Sequence, residues 1–123
     1  MIVGIGVDAV EIARIQRCCE KEHFVQRIFT EAEIREFDKN KVRAASDFAG
    51  KEAVAKVFGT GFNGCEPRDI EILRNEKGAP CVKLHCGAEQ LAASRGITRI
   101  HISITNTSEL AIAYAIGSDE QEE

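Results

Sequence analysis

The run Phe48-Ala49-Gly50-Lys51-Glu52-Ala53-Val54-Ala55-Lys56 decides how this chain is read. It lies in a predicted helix from about Val42 to Phe58, whose apolar positions Ala44, Ala45, Phe48, Ala49, Ala53, Ala55 and Val57 are mostly small. Such a helix can pack tightly against other elements. Gly59 ends it, where a left-handed residue is commonly needed. Glu52 and Lys56 stand four residues apart and share a helix face. Near the N-terminus, Ile2-Val3-Gly4-Ile5-Gly6-Val7 reads as a buried strand and Asp8 follows it. One carboxylate at a strand end and another inside a helix suit a magnesium ion whose remaining shell is water and substrate phosphate. Lys56, one turn past Glu52, would face that phosphate. Each feature also has a plainer account. Asp8 could cap a helix starting near Val10, and Glu52–Lys56 could be a surface ion pair worth roughly 0.2–0.5 kcal/mol. The pattern points to metal-assisted phosphate chemistry and leaves the substrate open.

Composition narrows the setting. At 123 residues the chain is one domain that buries about two-thirds of its unfolded surface. No tract reaches the length of a membrane span, and the N-terminus lacks the basic start and apolar core of a signal peptide, so a cytoplasmic protein is expected. Five cysteines, at 18, 19, 65, 81 and 86, include no Cys-x-x-Cys pair and read as buried thiols of a reducing compartment. Zinc at Cys81, His85 and Cys86 is disfavoured, because strand alternation aims residue 86 away from 81 and 85. The net charge of −4 is accounted for by Asp119, Glu120, Glu122 and Glu123, in a stretch read as a disordered acidic tail over residues 118–123 after a domain over 1–117. Basic residues elsewhere are scattered, which gives nucleic-acid binding no support.

The order of elements reads as α+β. After the first strand, a helix carries Arg14, Arg17 and Lys21 on its wet side. Thr30-Glu31-Ala32-Glu33 forms a capping box for a helix through Ile34 and Phe37. Residues 69–73 and 80–84 make a hairpin around Asn75-Glu76-Lys77-Gly78, Ala88 to Ser94 a short helix closed by Gly96, and Arg99 to Thr105 and Leu110 to Ile116 the last two strands. Ile100, Ile102 and Ile104 alternate with His101, Ser103 and Thr105 as in a half-buried strand.

Several motifs together resemble the holo-acyl-carrier-protein synthase family of 4′-phosphopantetheinyl transferases, in its short single-domain bacterial form. They are Gly4-Ile5-Gly6-Val7-Asp8, Arg14-Ile15, Arg27 to Glu33, Lys51 to Lys56 with Gly59-Thr60-Gly61, and His101 to Thr107. The resemblance runs in family order over nearly the whole chain. It implies a fold with an N-terminal strand and helices followed by a small antiparallel sheet. It also implies transfer of 4′-phosphopantetheine from coenzyme A to a serine of apo acyl-carrier protein, with release of 3′,5′-ADP, in fatty acid biosynthesis. The roles it suggests are Asp8 and Glu52 on magnesium, and Lys56, Gly59, Arg43, Asn106 and Thr107 on coenzyme A. Arg14, Lys21, Phe24 and Arg27 would meet the acidic carrier. The acceptor of the serine proton stays open among a metal-held water, a carboxylate and Lys56. A homotrimer with sites between subunits is expected, Glu52 and Lys56 coming from one chain and Asp8 with the closing-strand residues from the next.

Two positions depart from the family pattern. Asn106 stands where a histidine is expected, and can donate a hydrogen bond but carry no charge. Asp47 stands where an arginine is common, with Arg43 one turn earlier on the same face. These departures keep open a catalytically weakened carrier-protein- or nucleotide-binding homologue. Another divalent-metal phosphotransfer enzyme on a similar scaffold is a further reading.

Overall fold

Small residues on both sides of one seam organise the fold. In the computed structural model, which describes residues 1–38 and 40–120, helix α4 (Val42–Val57) lies directly on a three-stranded antiparallel sheet of order β1-β5-β4. The strands are β1 (Ile2–Glu11), β4 (Arg99–Asn106) and β5 (Leu110–Ser118). The sheet face toward α4 carries Gly4 and Gly6 from β1 and Ala111, Ala113, Ala115 and Gly117 from β5. A methyl group at Gly4 would overlap the Val57 carbonyl oxygen, and one at Gly6 that of Ala53. The helix backbone therefore rests on the strand backbone. Ala44, Ala45, Ala49, Ala53, Val54 and Ala55 are buried on the helix side of this seam and around it.

The remaining elements pack around α4, some directly and others through one another. They are α1 (Ile12–Cys18), α2 (Glu22–Ile28), α3 (Glu31–Phe37), a 3₁₀ turn at Pro67–Asp69, the β2–β3 hairpin (Ile70–Arg74, Pro80–Leu84) and α5 (Cys86–Ser94). Both halves of the Thr30–Glu33 capping box form. Glu33 does more than cap: it is fully buried, accepts from the Ile72 amide at 2.8 Å, and pairs with the buried Lys51 ammonium at 2.8 Å. Lys51 spends its other donors on the Pro67 and Ile70 carbonyls, at 2.9 and 2.6 Å. One polar knot thus ties α3, α4 and β2 together, every member partnered as burial demands. Gly59 ends α4 at φ 78°, the left-handed conformation anticipated there.

The structure departs from the sequence reading in five places. β1 is half-buried, because α4 covers only one face of the sheet; Ile5 and Val7 on the other face are 58% and 50% exposed. β1 runs on to Glu11, so Asp8 sits in a strand and caps no helix; the helix starts at Ile12, whose amide bonds the Glu109 carbonyl. The single helix expected to reach Lys21 is two short ones, parted at Cys19–Lys21 so that Phe24 can pack on Phe29 and Phe48. Among the cysteines only Cys65 is buried, while Cys81 and Cys86 are exposed. Of the expected acidic tail, Ser118 belongs to β5, and Asp119 and Glu120 are held by backbone bonds to Met1 and by Arg99 respectively; residues 121–123 lie outside the described residues.

Candidate active site

The close approach of α4 to β1 builds the first half of the site. Lys56, in the last turn of α4, reaches across the seam and donates from Nζ to the Val7 carbonyl at 2.9 Å and to Asp8 Oδ1 at 3.2 Å. Glu52 lies one turn earlier on the same helix face and is half-buried. Burial, and after it the charge of Asp8, hold the Glu52 carboxyl above its ordinary range, while Lys56 and Arg14 pull the other way. Asp8, Lys56 and Arg14 of the same chain therefore all act on Glu52. That corrects the expectation that Asp8 would come from a neighbouring chain: β1 and α4 of the same protein carry the pair, because glycine at 4 and 6 lets them touch. Gly59 follows three residues after Lys56, with open space around it.

Two carboxylates near enough for the charge of Asp8 to raise Glu52, with ammonium and guanidinium charge beside them, are oxygen donors of the kind that would suit a hard cation such as magnesium. Asp8 and Glu52 would hold that ion.

A second polar cluster sits at the other end of α4. Asn106, the last residue of β4, donates from Nδ2 to Ser46 Oγ at 2.9 Å. Both line a polar cavity of about 200 Å³ with Asn40, Arg43, Arg74 and Pro80. Arg43 pairs with Glu36 at 3.3 Å and also borders a wider cleft of about 490 Å³ beside Arg35. Thr107 Oγ1 accepts the backbone amides of Glu109 and Leu110 in the β4–β5 turn, so its hydroxyl hydrogen is the part left to offer a ligand. Ser46 and Lys56 are ten residues apart, about 15 Å along the helix, and Asp8 and Asn106 lie on opposite edge strands. The residues assigned to coenzyme A thus fall into two groups, Lys56 and Gly59 at one end of α4 and Arg43, Asn106 and Thr107 at the other.

Arg14, Lys21 and Arg27 are exposed on α1, at the α1–α2 break and on α2. Phe24 is half-buried, with its ring 6.2 Å from that of Phe29 and 6.1 Å from that of Phe48, so only its rim is open to a partner. Sequence reasoning missed one participant, Arg74, and met Asp47 only as a departure from the family pattern. Arg74 ends β2 at the polar cavity, and its guanidinium bonds the buried Asp47 at 2.9 Å. No local signal pointed to Arg74, which is 27 residues from Asp47 in sequence.

The sequence pattern of the 4′-phosphopantetheinyl transferase superfamily matches residues 4–115. The chain belongs to that superfamily, in its holo-acyl-carrier-protein synthase branch. It is 50% identical to a holo-acyl-carrier-protein synthase of Lachnoclostridium phytofermentans, over 95% of this chain and 96% of that one. The crystal structure of the Neisseria meningitidis enzyme superposes with a TM-score of 0.87 at 32% identity, covering 96% and 99% of the two chains. That of the Helicobacter pylori enzyme, solved in complex with coenzyme A, gives 0.83 at 31%, covering 93% and 99%.

Proposed function

We propose that this protein transfers the 4′-phosphopantetheine group of coenzyme A to a serine hydroxyl of apo acyl-carrier protein, releasing 3′,5′-ADP. The observation that carries the reading is the Asp8–Glu52 pair with Lys56 laid across it, in a chain half identical to a named holo-acyl-carrier-protein synthase. The serine hydroxyl gives up its proton to a carboxylate or a water at the site, its oxygen attacks the phosphorus bearing the pantetheine, and the bond from that phosphorus to the oxygen shared with 3′,5′-ADP breaks. The obstacle is charge: an anionic diphosphate repels the incoming oxygen and leaves as a more highly charged group. Asp8 and Glu52 would hold magnesium, and the chemistry it supplies when bound is neutralisation of that diphosphate charge. Lys56 adds a fixed positive charge beside them. Its Nζ is a donor to two oxygens, which suits it to orient and stabilise anions rather than to take up the serine proton.

The second cluster would take the nucleotide end. With the diphosphate left to the Asp8, Glu52 and Lys56 end, the remaining anion of coenzyme A is the phosphate on its ribose, and the cluster at the other end of α4, with Arg43, Asn106 and Thr107 among its donors, would meet it. Since α4 separates the clusters, each working site would combine the carboxylate half of one chain with the Asn106 half of its neighbour. An oligomer, a homotrimer by family resemblance, is also supported by the uncovered sheet face. Ile5, Val7 and Tyr114 stand 58%, 50% and 43% exposed there, side by side across β1 and β5. Arg14, Lys21 and Arg27 would steer the acidic carrier toward Asp8, Arg14 being close enough to act on Glu52. The setting is the cytoplasm, and the role is activation of the carrier used in fatty acid biosynthesis.

Incubation of the purified protein with apo carrier, coenzyme A and magnesium tests this reading. Intact mass should show one phosphopantetheine added at the carrier serine, with 3′,5′-ADP in equal amount. A carrier of unchanged mass, with coenzyme A still bound by the protein, would reduce it to a binding homologue.

A further inference from the structure

We propose that Arg74 grips the ribose phosphate of coenzyme A, and that Asp47 beneath it is a positioning residue that sets both the place and the effective charge of that guanidinium. The proposal rests on the transferase reading above. Asp47 is fully buried on α4 and Arg74 nearly so, with 11% of its side chain exposed. One bond joins them, Arg74 Nη1 to Asp47 Oδ1 at 2.9 Å. Asp47 Oδ2 has neither a partner nor access to solvent among the described residues. A guanidinium has five donors, and Asp47 engages one. Arg74 also lines the cavity that Arg43, Ser46 and Asn106 share. Arg43 is already balanced by Glu36, which leaves Arg74 as the cation whose charge depends on a single hidden carboxyl.

The charges around Asp47 explain its behaviour. From β2 comes Arg74, from α3 Glu33, and from α4 itself Lys51. Lys51 cannot serve Asp47 directly, since Glu33 and the carbonyls of Pro67 and Ile70 take up its donors. Burial prevails over the neighbouring cations, and the Asp47 carboxyl is pushed up to about 7. When Asp47 is protonated, Arg74 presents its full charge to the cavity. When Asp47 ionises, the pair is neutral toward a phosphate. The affinity contributed by Arg74 therefore falls as pH rises through neutrality, a gate placed under a binding residue rather than in the reacting centre.

Dissociation constants of coenzyme A and dephospho-coenzyme A, which lacks the ribose phosphate, measured from pH 6 to 8.5 decide the matter. Arg74→Gln should weaken coenzyme A roughly tenfold at pH 6.5, the scale of one lost charge-assisted bond, and leave dephospho-coenzyme A unchanged. Arg74→Lys should recover most of that loss. Asp47→Asn should remove the wild-type decline with pH and bind coenzyme A more tightly than wild type at pH 8. In transfer assays the change should appear in KM for coenzyme A, with kcat held. The ligand phosphate titrates too, with a second pKa of about 6, so the difference between Asp47→Asn and wild type isolates the carboxyl. Equal loss for both ligands in Arg74→Gln, or loss for neither, overturns the Arg74 role. An unaltered pH slope in Asp47→Asn overturns the gate. Wild type that binds neither ligand overturns the transferase reading instead.

Discussion

Replacing Gly6 by alanine tests whether the site depends on backbone contact between α4 and β1. The added methyl would overlap the Ala53 carbonyl oxygen and stand 2.9 Å from Lys56 Cβ, so no side-chain rotation relieves it. The helix would have to withdraw by on the order of 1 Å to restore van der Waals contact. Overpacking of this kind costs about 1–3 kcal/mol, which for a domain of this size lowers Tm by roughly 4–12 °C. Lys56 moves with the helix and Asp8 stays with the strand, so the 3.2 Å contact between them opens. A displacement of that size at a reacting centre lowers turnover about 100-fold. Gly50→Ala is the control. Its methyl meets side-chain carbons of Ile102 and Ile72, at 3.2 and 3.3 Å, and no backbone atom, and alanine favours the helix by up to about 1 kcal/mol. Thermal unfolding and carrier modification, measured on both variants, separate the two. A Gly6→Ala protein with wild-type Tm and wild-type transfer would refute the reasoning.

The composite site predicts subunit complementation: Glu52→Gln and Asn106→Ala proteins, each impaired alone, should regain activity at about a quarter of the sites when unfolded together and refolded as mixed oligomers. No recovery would place each site within one chain. Reversal of Arg14 and Arg27 to glutamate should raise KM for carrier far more than KM for coenzyme A, and salt should weaken the wild type more than the variant. Asn106→Ala should lose roughly 1–3 kcal/mol of transition-state stabilisation. Asn106→His should be tolerated without a new ionisation in the rate profile, and a large gain in rate with a pKa near 6.5 would show that the asparagine had cost the site an acid–base group.

The parts of the fold set by local chemistry were legible in the sequence. The Thr30–Glu33 box, the Gly59 helix stop and the hairpin through Asn75–Gly78 each follow from neighbours a few residues away, and all three stand in the structure. What local pattern could not supply was decided by tertiary contact. Nothing in Cys19-Glu20-Lys21 is a breaker, yet the helix parts there because Phe24 turns in toward Phe29 and Phe48. Apolar residues on both faces of β1 suggested full burial, whereas α4 covers one side alone. The site shows the same division. Asp8, Glu52 and Lys56 could be named from their motifs, but their meeting within one chain depends on how closely Gly4 and Gly6 let the helix approach. Asp47 was legible only as a missing arginine, because Arg74, which answers its charge, is 27 residues away on another element.

The central claim is that Asp8 and Glu52 together hold the metal against the diphosphate of coenzyme A. The most direct measurement is the initial rate of carrier modification as a function of magnesium concentration in wild type, Asp8→Asn and Glu52→Gln. The wild type should be silenced by a chelator and restored by magnesium. Its metal requirement should grow as pH falls, because burial and Asp8 hold the Glu52 carboxyl above its ordinary range and the ion must displace that proton. Each variant should lose orders of magnitude in rate and need more magnesium for what remains, with Tm little changed. Both variants turning over near the wild-type rate at the same magnesium concentration would contradict the account.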